Sequence, residues 1–169
     1  MAPHLRDRES KASRALGATM QIWARYPYMT TQFKMQLADT LFGSVLKYAS
    51  EVWAWGNVDI IDRAEAKMLR RACGVGPKVS GTAVRWLLGR VPVVAKCWCQ
   101  AYKFWGTIVE MGSERFENAA LQTSWVMHRE LGRGWVHDMI SVFVRIGFSP
   151  SMEESLTMQA WAASDIKSG

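Results

Sequence analysis

The sequence has little of what marks a secreted, membrane-spanning or metal-built protein. Among its 169 residues are three cysteines, Cys73, Cys97 and Cys99. That odd number, without the spacing of a disulfide framework, points to a reducing compartment and an intracellular location, nuclear or cytoplasmic. No apolar run approaches the roughly 20 residues a helix needs to cross a bilayer, so no membrane partner is expected. The opening MAPHLRDRESKASR carries charge with no apolar block behind it, which is not the pattern of a secretory signal; Asp7 and Glu9 count against a transit leader. Prolines number only five, so little interrupts a helix.

Catalytic and metal-binding signatures are missing as well. There is no G-x-S-x-G elbow, no H-E-x-x-H and no Walker-type loop. His4, His128 and His137 lie outside any motif. Cys97 and Cys99 form a C-x-C, but two residues along a helix are separated by about 200°, which sends the thiols to different sides and suits a shared zinc ion poorly. Buried, unreactive cysteines are the expectation. Asp59, Asp62, Glu153 and Glu154 fall in first turns of predicted helices, where the helix dipole accounts for them. Neither an enzyme nor a bound cofactor is expected.

What is present is helical periodicity. With 49% apolar and 21% charged residues the chain is globular in composition, and its apolar residues recur with a 3.6-residue period. The spacing predicts an all-α bundle with helices over 7–25, 30–55, 58–73, 80–88, 92–111, 114–131 and 135–146, and a last one opening at a Ser151/Glu154 capping box. Tyr26 precedes Pro27, which stops the first helix. Over 30–55, Leu37, Leu41, Val45, Tyr48 and Val52 form one stripe and Ala38, Phe42, Leu46, Ala49 and Trp53 another, a breadth that predicts the most buried helix. Gly56-Asn57 stops it, with Asn57 placed to cap the next. Gly112-Ser113 and a change of charge sign suggest a helical domain over 1–111 and a smaller helical part over 112–169, with one continuous domain as the alternative.

The charge is unevenly placed. Residues 1–110 hold 16 Lys/Arg against 8 Asp/Glu, and residues 111–169 hold 5 against 7. Arg63, Lys67, Arg70 and Arg71 share one face of the 58–73 helix, and Lys78 follows in a loop. Lys96, Gln100 and Lys103 make a second polar stripe after Pro92. Neighbouring stripes would form a groove able to track an RNA or DNA backbone. Nine tryptophans are many for this length. Trp23, Trp53, Trp98 and Trp105 sit at or beside core positions. Trp55, Trp86 and Trp135 lie near helix ends, where burial is the ordinary outcome and stacking on a base or a protein partner the functional one. Ten methionines add to the alternative of a protein-interaction module.

The order LFGSVLKYASEVWAWG, IDRAEAKMLRRACGVG, TAVRWLLGRVPV and CQAYKFW resembles the region just after the polymerase core in open reading frames of non-LTR (LINE-type) retrotransposons. The matching positions are Tyr48, Glu51 and Trp53; Leu69, Arg70, Arg71, Gly74 and Val75; Leu88, Gly89 and Pro92; and Lys103 with Trp105. GWVHDMISVFVRIGFS resembles a later tryptophan-to-glycine helix of these frames. Ala49 stands where glycine is usual, and Leu87 where an acidic residue is. The resemblance implies a thumb-like helix whose Tyr48 and Trp53 pack while Glu51 pairs with an arginine, on a surface beside a template–primer duplex. Reverse transcription needs paired aspartates for two metal ions, and no Asp-Asp occurs in this chain. The resemblance therefore implies the nucleic-acid-gripping piece of such a frame, as a remnant or a co-opted protein, and not a polymerase.

Overall fold

In a computed structural model that describes residues 3–147, apart from 57 and 113, the periodic segments become helices, and among those residues the fold is all-α without a strand. The helix opening at Ser151 and the Asn57 cap lie outside the described residues. No described helix is long and apolar enough to cross a membrane.

Helix α1 (Pro3–Arg25) buries Ala12, Leu16, Thr19 and Trp23, and the Thr19 hydroxyl donates to the Ala15 carbonyl at 2.8 Å. It ends where Pro27 forces the chain to turn. The Met29 amide donates to the Tyr26 carbonyl at 3.1 Å, closing a turn with proline at its second position. Thr30 then caps α2 (Thr31–Ala38), its hydroxyl accepting from the Phe33 amide at 3.3 Å.

A single helix over 30–55 does not form. After α2 comes a π turn (Asp39–Gly43), then α3 (Ser44–Lys47) and, past a break, α4 (Ser50–Trp53). Thr40 and Ser44 donate side-chain hydrogen bonds back to the Gln36 and Thr40 carbonyls at 3.0 and 2.6 Å, which accompanies the widened turn. Tyr48 then leaves the helical region at ψ 127°, and Ala49 takes φ 54°, the left-handed region. The two expected stripes separate accordingly. Ala38, Phe42, Leu46 and Trp53 are buried, while Leu41, Tyr48 and Val52 are exposed. Tyr48 is thus not packed in a core; the Arg8 guanidinium lies 4.4 Å from its ring centroid. Glu51 forms no ion pair among the described residues.

The later helices follow their predicted spans closely: α5 (Asp59–Ala72), α6 (Gly81–Leu87), α7 (Val93–Glu110), α8 (Phe116–Leu131) and α9 (Trp135–Arg145). Two compact units result, one of residues 1–50 and 57–97, the other of 51–56 and 98–169. The division between these units falls inside α7. Hydrogen bonding shows why: the Val93 amide donates to Glu65 at 3.0 Å within the first unit, and the Trp98 indole donates to the Ala54 carbonyl at 2.9 Å within the second.

In the first unit α5 packs against α6, α1 and α2, burying Ile60, Ile61, Ala64, Met68, Leu69 and Ala72. Its contact with α6 is close: a Cβ added to Gly81 would lie 2.6 Å from that of Ala66. In the second unit α8 and α9 pair, and Trp55 is buried with its ring centroid 6.2 Å from Trp135 and 5.5 Å from Phe143. Asn118 donates to the Met111 carbonyl at 3.0 Å, and Gly132 ends α8 at φ 57°.

Candidate nucleic-acid interface

Helix α5 has two faces because its residues alternate in chemistry at helical spacing. About 100° per residue puts Arg63, Lys67, Arg70 and Arg71 within roughly 100° of arc and Glu65 on the far side. Arg63, Lys67 and Arg71 are exposed and Arg70 is half-buried, while the apolar residues opposite them fill the core. Among the described residues no carboxylate lies within ion-pair distance of Arg63, Lys67, Arg70, Arg71 or Lys78. Among the described residues the ridge is therefore a run of positive charge with no ion-paired carboxylate.

Two of its members are also structural. The Arg70 Nε donates to the Val79 carbonyl at 2.6 Å, holding against α5 the loop in which Lys78 precedes Val79. Arg71 reaches the Met20 sulfur of α1 at 2.6 Å. Among the described residues Arg63 bonds within its own helix, to the Asp59 carbonyl at 3.3 Å. Lys96 is exposed near the start of α7, in the same unit, but α7 is not among the helices packed most closely on α5. Lys103 is exposed in the other unit. Four of the seven predicted cations thus share one face of α5, and Lys78 lies in the loop that Arg70 holds through Val79.

The aromatic candidates divide. Trp55 is a core residue, which removes it as a partner contact, because its ring is enclosed by Trp135 and Phe143. Trp135 is half-buried in that same cluster. Trp86 is 87% exposed, beside Leu87 at 77%. Trp23, Trp53 and Trp105 are buried and Trp98 half-buried, as core positions require. Of the cysteines only Cys97 is buried; Cys99 is exposed, and partial burial pushes the Cys73 thiol above its ordinary pKa. The described residues hold no group of three or more metal-ligating side chains, although His128 and His137 approach to 3.2 Å between their Nδ1 atoms.

Periodicity gave no notice of the polar cluster behind the ridge. Arg85 of α6 is buried and donates from Nε to Glu65 at 2.9 Å, and from its Nη2 to the Asp62 carboxylate at 2.6 Å and carbonyl at 3.0 Å. Glu65 also accepts from the Val93 amide. One buried carboxylate thereby fixes α6 and the start of α7 to α5, and with them the loop carrying Lys78. The available signal was Glu65 itself, an acid on the apolar side of a helix, where an ion needs a partner. Compared with protein-family models, curated proteins and solved structures, the chain matches none.

Proposed function

We propose that this chain is a non-catalytic, retroelement-derived helical domain that binds RNA or duplex nucleic acid through the exposed face of α5. The observation that carries the reading is a ridge of Arg63, Lys67, Arg70 and Arg71, joined by Lys78, in which no cation is paired with a described carboxylate. Such a line of cations displaces counterions from a phosphate backbone, and that release drives binding whatever the sequence. Support for the retroelement ancestry comes from the turns. Gly74 and Gly89, two of the motif glycines, adopt φ 68° and 60°, and Ala49, at a position where the resembling frames carry glycine, adopts φ 54°. These are backbone positions where glycine is favoured for steric reasons.

The test follows from which cations are free of structural duty. Arg70 and Arg71 also tether other segments, so charge reversal there confounds binding with folding. Arg63→Glu with Lys67→Glu is the cleaner pair. It is expected to abolish detectable binding to an RNA duplex at physiological salt while the helical circular dichroism stays unchanged. Undiminished affinity in that variant overturns the reading.

A second reading, a protein-interaction module, is favoured by Trp86 and Leu87 standing exposed side by side at the end of α6. It expects a complex that survives nuclease and salt and is lost in Trp86→Ser.

A further inference from the structure

A second surface in the first unit has different chemistry from the ridge. The end of α1, the 26–29 turn and the start of α2 enclose an open groove of about 760 Å³, of the size that holds small organic ligands. Its wall is aromatic and aliphatic: Tyr26, Tyr28 and Phe33 with Ile22, Met29 and Leu37. The rings are presented outward instead of being packed away, Tyr28 being 98% exposed, Tyr26 57% and Phe33 54%. Arg25 is the charged residue among those lining it. No Asp or Glu lines the groove, and along the chain from residue 10 to residue 38 the charged residues are Lys11, which pairs with Asp7, and Arg14, Arg25 and Lys34.

We infer that this groove binds unpaired nucleotides of a single-stranded nucleic acid, with bases stacked on Tyr26, Tyr28 and Phe33 and the backbone held by Arg25. Base faces are broad, flat and uncharged, and stack on aromatic rings with little regard to sequence; phosphates need nearby cations and no carboxylates. The groove supplies three outward-facing rings and one lining cation, Arg25, and no carboxylate lines it. The backbone that carries the rings is set before binding. Pro27 fixes the turn, the Tyr26–Met29 hydrogen bond closes it at 3.1 Å, and Thr30 caps the helix that carries Phe33, so little ordering remains to be done when a base arrives. The inference deepens the nucleic-acid reading but rests on different residues from the ridge.

The full chain is titrated by fluorescence anisotropy with a labelled single-stranded RNA of mixed sequence and, separately, with a blunt RNA duplex. Tyr28→Ala with Phe33→Ala is expected to weaken single-strand binding at least about tenfold and to leave duplex binding unchanged. Tyr28→Trp, which keeps a stacking face, is expected to retain single-strand binding. Unaltered single-strand affinity in the double alanine variant overturns the inference, as does an equal loss on both probes. A native chain that binds duplex but no single strand overturns it and leaves the α5 reading standing. Groove-dependent single-strand binding without duplex binding does the reverse, and a chain that binds neither probe ends both. Capture of a protein by the groove, with single-strand affinity untouched by its variants, also overturns it.

Discussion

At the scale of single residues, two exchanges between glycine and alanine should have opposite effects, for reasons of different origin. Ala49 sits at φ 54°, where its Cβ crowds the following carbonyl. Ala49→Gly removes that crowding and is expected to stabilise the protein by about 0.5–1 kcal/mol, partly offset by the greater freedom of glycine in the unfolded chain. Gly81 sits where α6 meets α5, and its new Cβ would meet that of Ala66 at 2.6 Å. Gly81→Ala is expected to cost about 1–3 kcal/mol, because two backbones must move apart. Urea denaturation of both variants checks the pair of signs. Position 49 was conspicuous in the sequence, since alanine stands there in place of the glycine of the resembling frames. Gly81 was not, because the obstacle is a side chain 15 positions away in sequence, on another helix.

At the scale of elements, the lengths of α1, α5, α7, α8 and α9 were legible, since each carries a sustained 3.6-residue apolar period bounded by proline, glycine or a change of polarity. The 30–55 segment was misread for a physical reason. Apolar spacing reports which side chains want burial, whereas the helix there is interrupted by competition for backbone carbonyls from Thr40 and Ser44 and by a left-handed residue. Attachment of one helix to another was illegible too. Arg85, Glu65 and Asp62 come from α5 and α6, and the Val93 amide from α7. Arg85→Ala leaves the Glu65 carboxylate buried with a single amide donor, and is expected to cost about 3–5 kcal/mol. Replacing Arg85 and Glu65 together by methionine is expected to cost much less, because no stranded charge remains. A double-mutant cycle in urea measures the difference. Additive losses would show that the pair is not coupled.

At the scale of the whole molecule, charge is the property to test. The excess of Lys and Arg over residues 1–110 gives the chain its net +6. Four cations share a face of α5, Lys78 follows in the next loop, and engagement of all five with duplex phosphates predicts a slope of log K against log salt of about −4 to −5. Arg63→Glu with Lys67→Glu should flatten that slope by about 2, measured between low and physiological salt in conditions where the variant still binds. A slope near zero in the native chain would remove electrostatic backbone binding.

The sequence by itself determined that the chain is helical, where most helices start and stop, and that one face of α5 is cationic, because these depend on residues within a few turns of one another. Tertiary structure decided that Trp55 is core while Trp86 is exposed, and that Arg85 of one helix meets Glu65 of another. Those outcomes depend on which distant segments desolvate each other. Periodicity along a chain says what each face prefers, but only packing assigns the limited interior to some of the residues that could fill it.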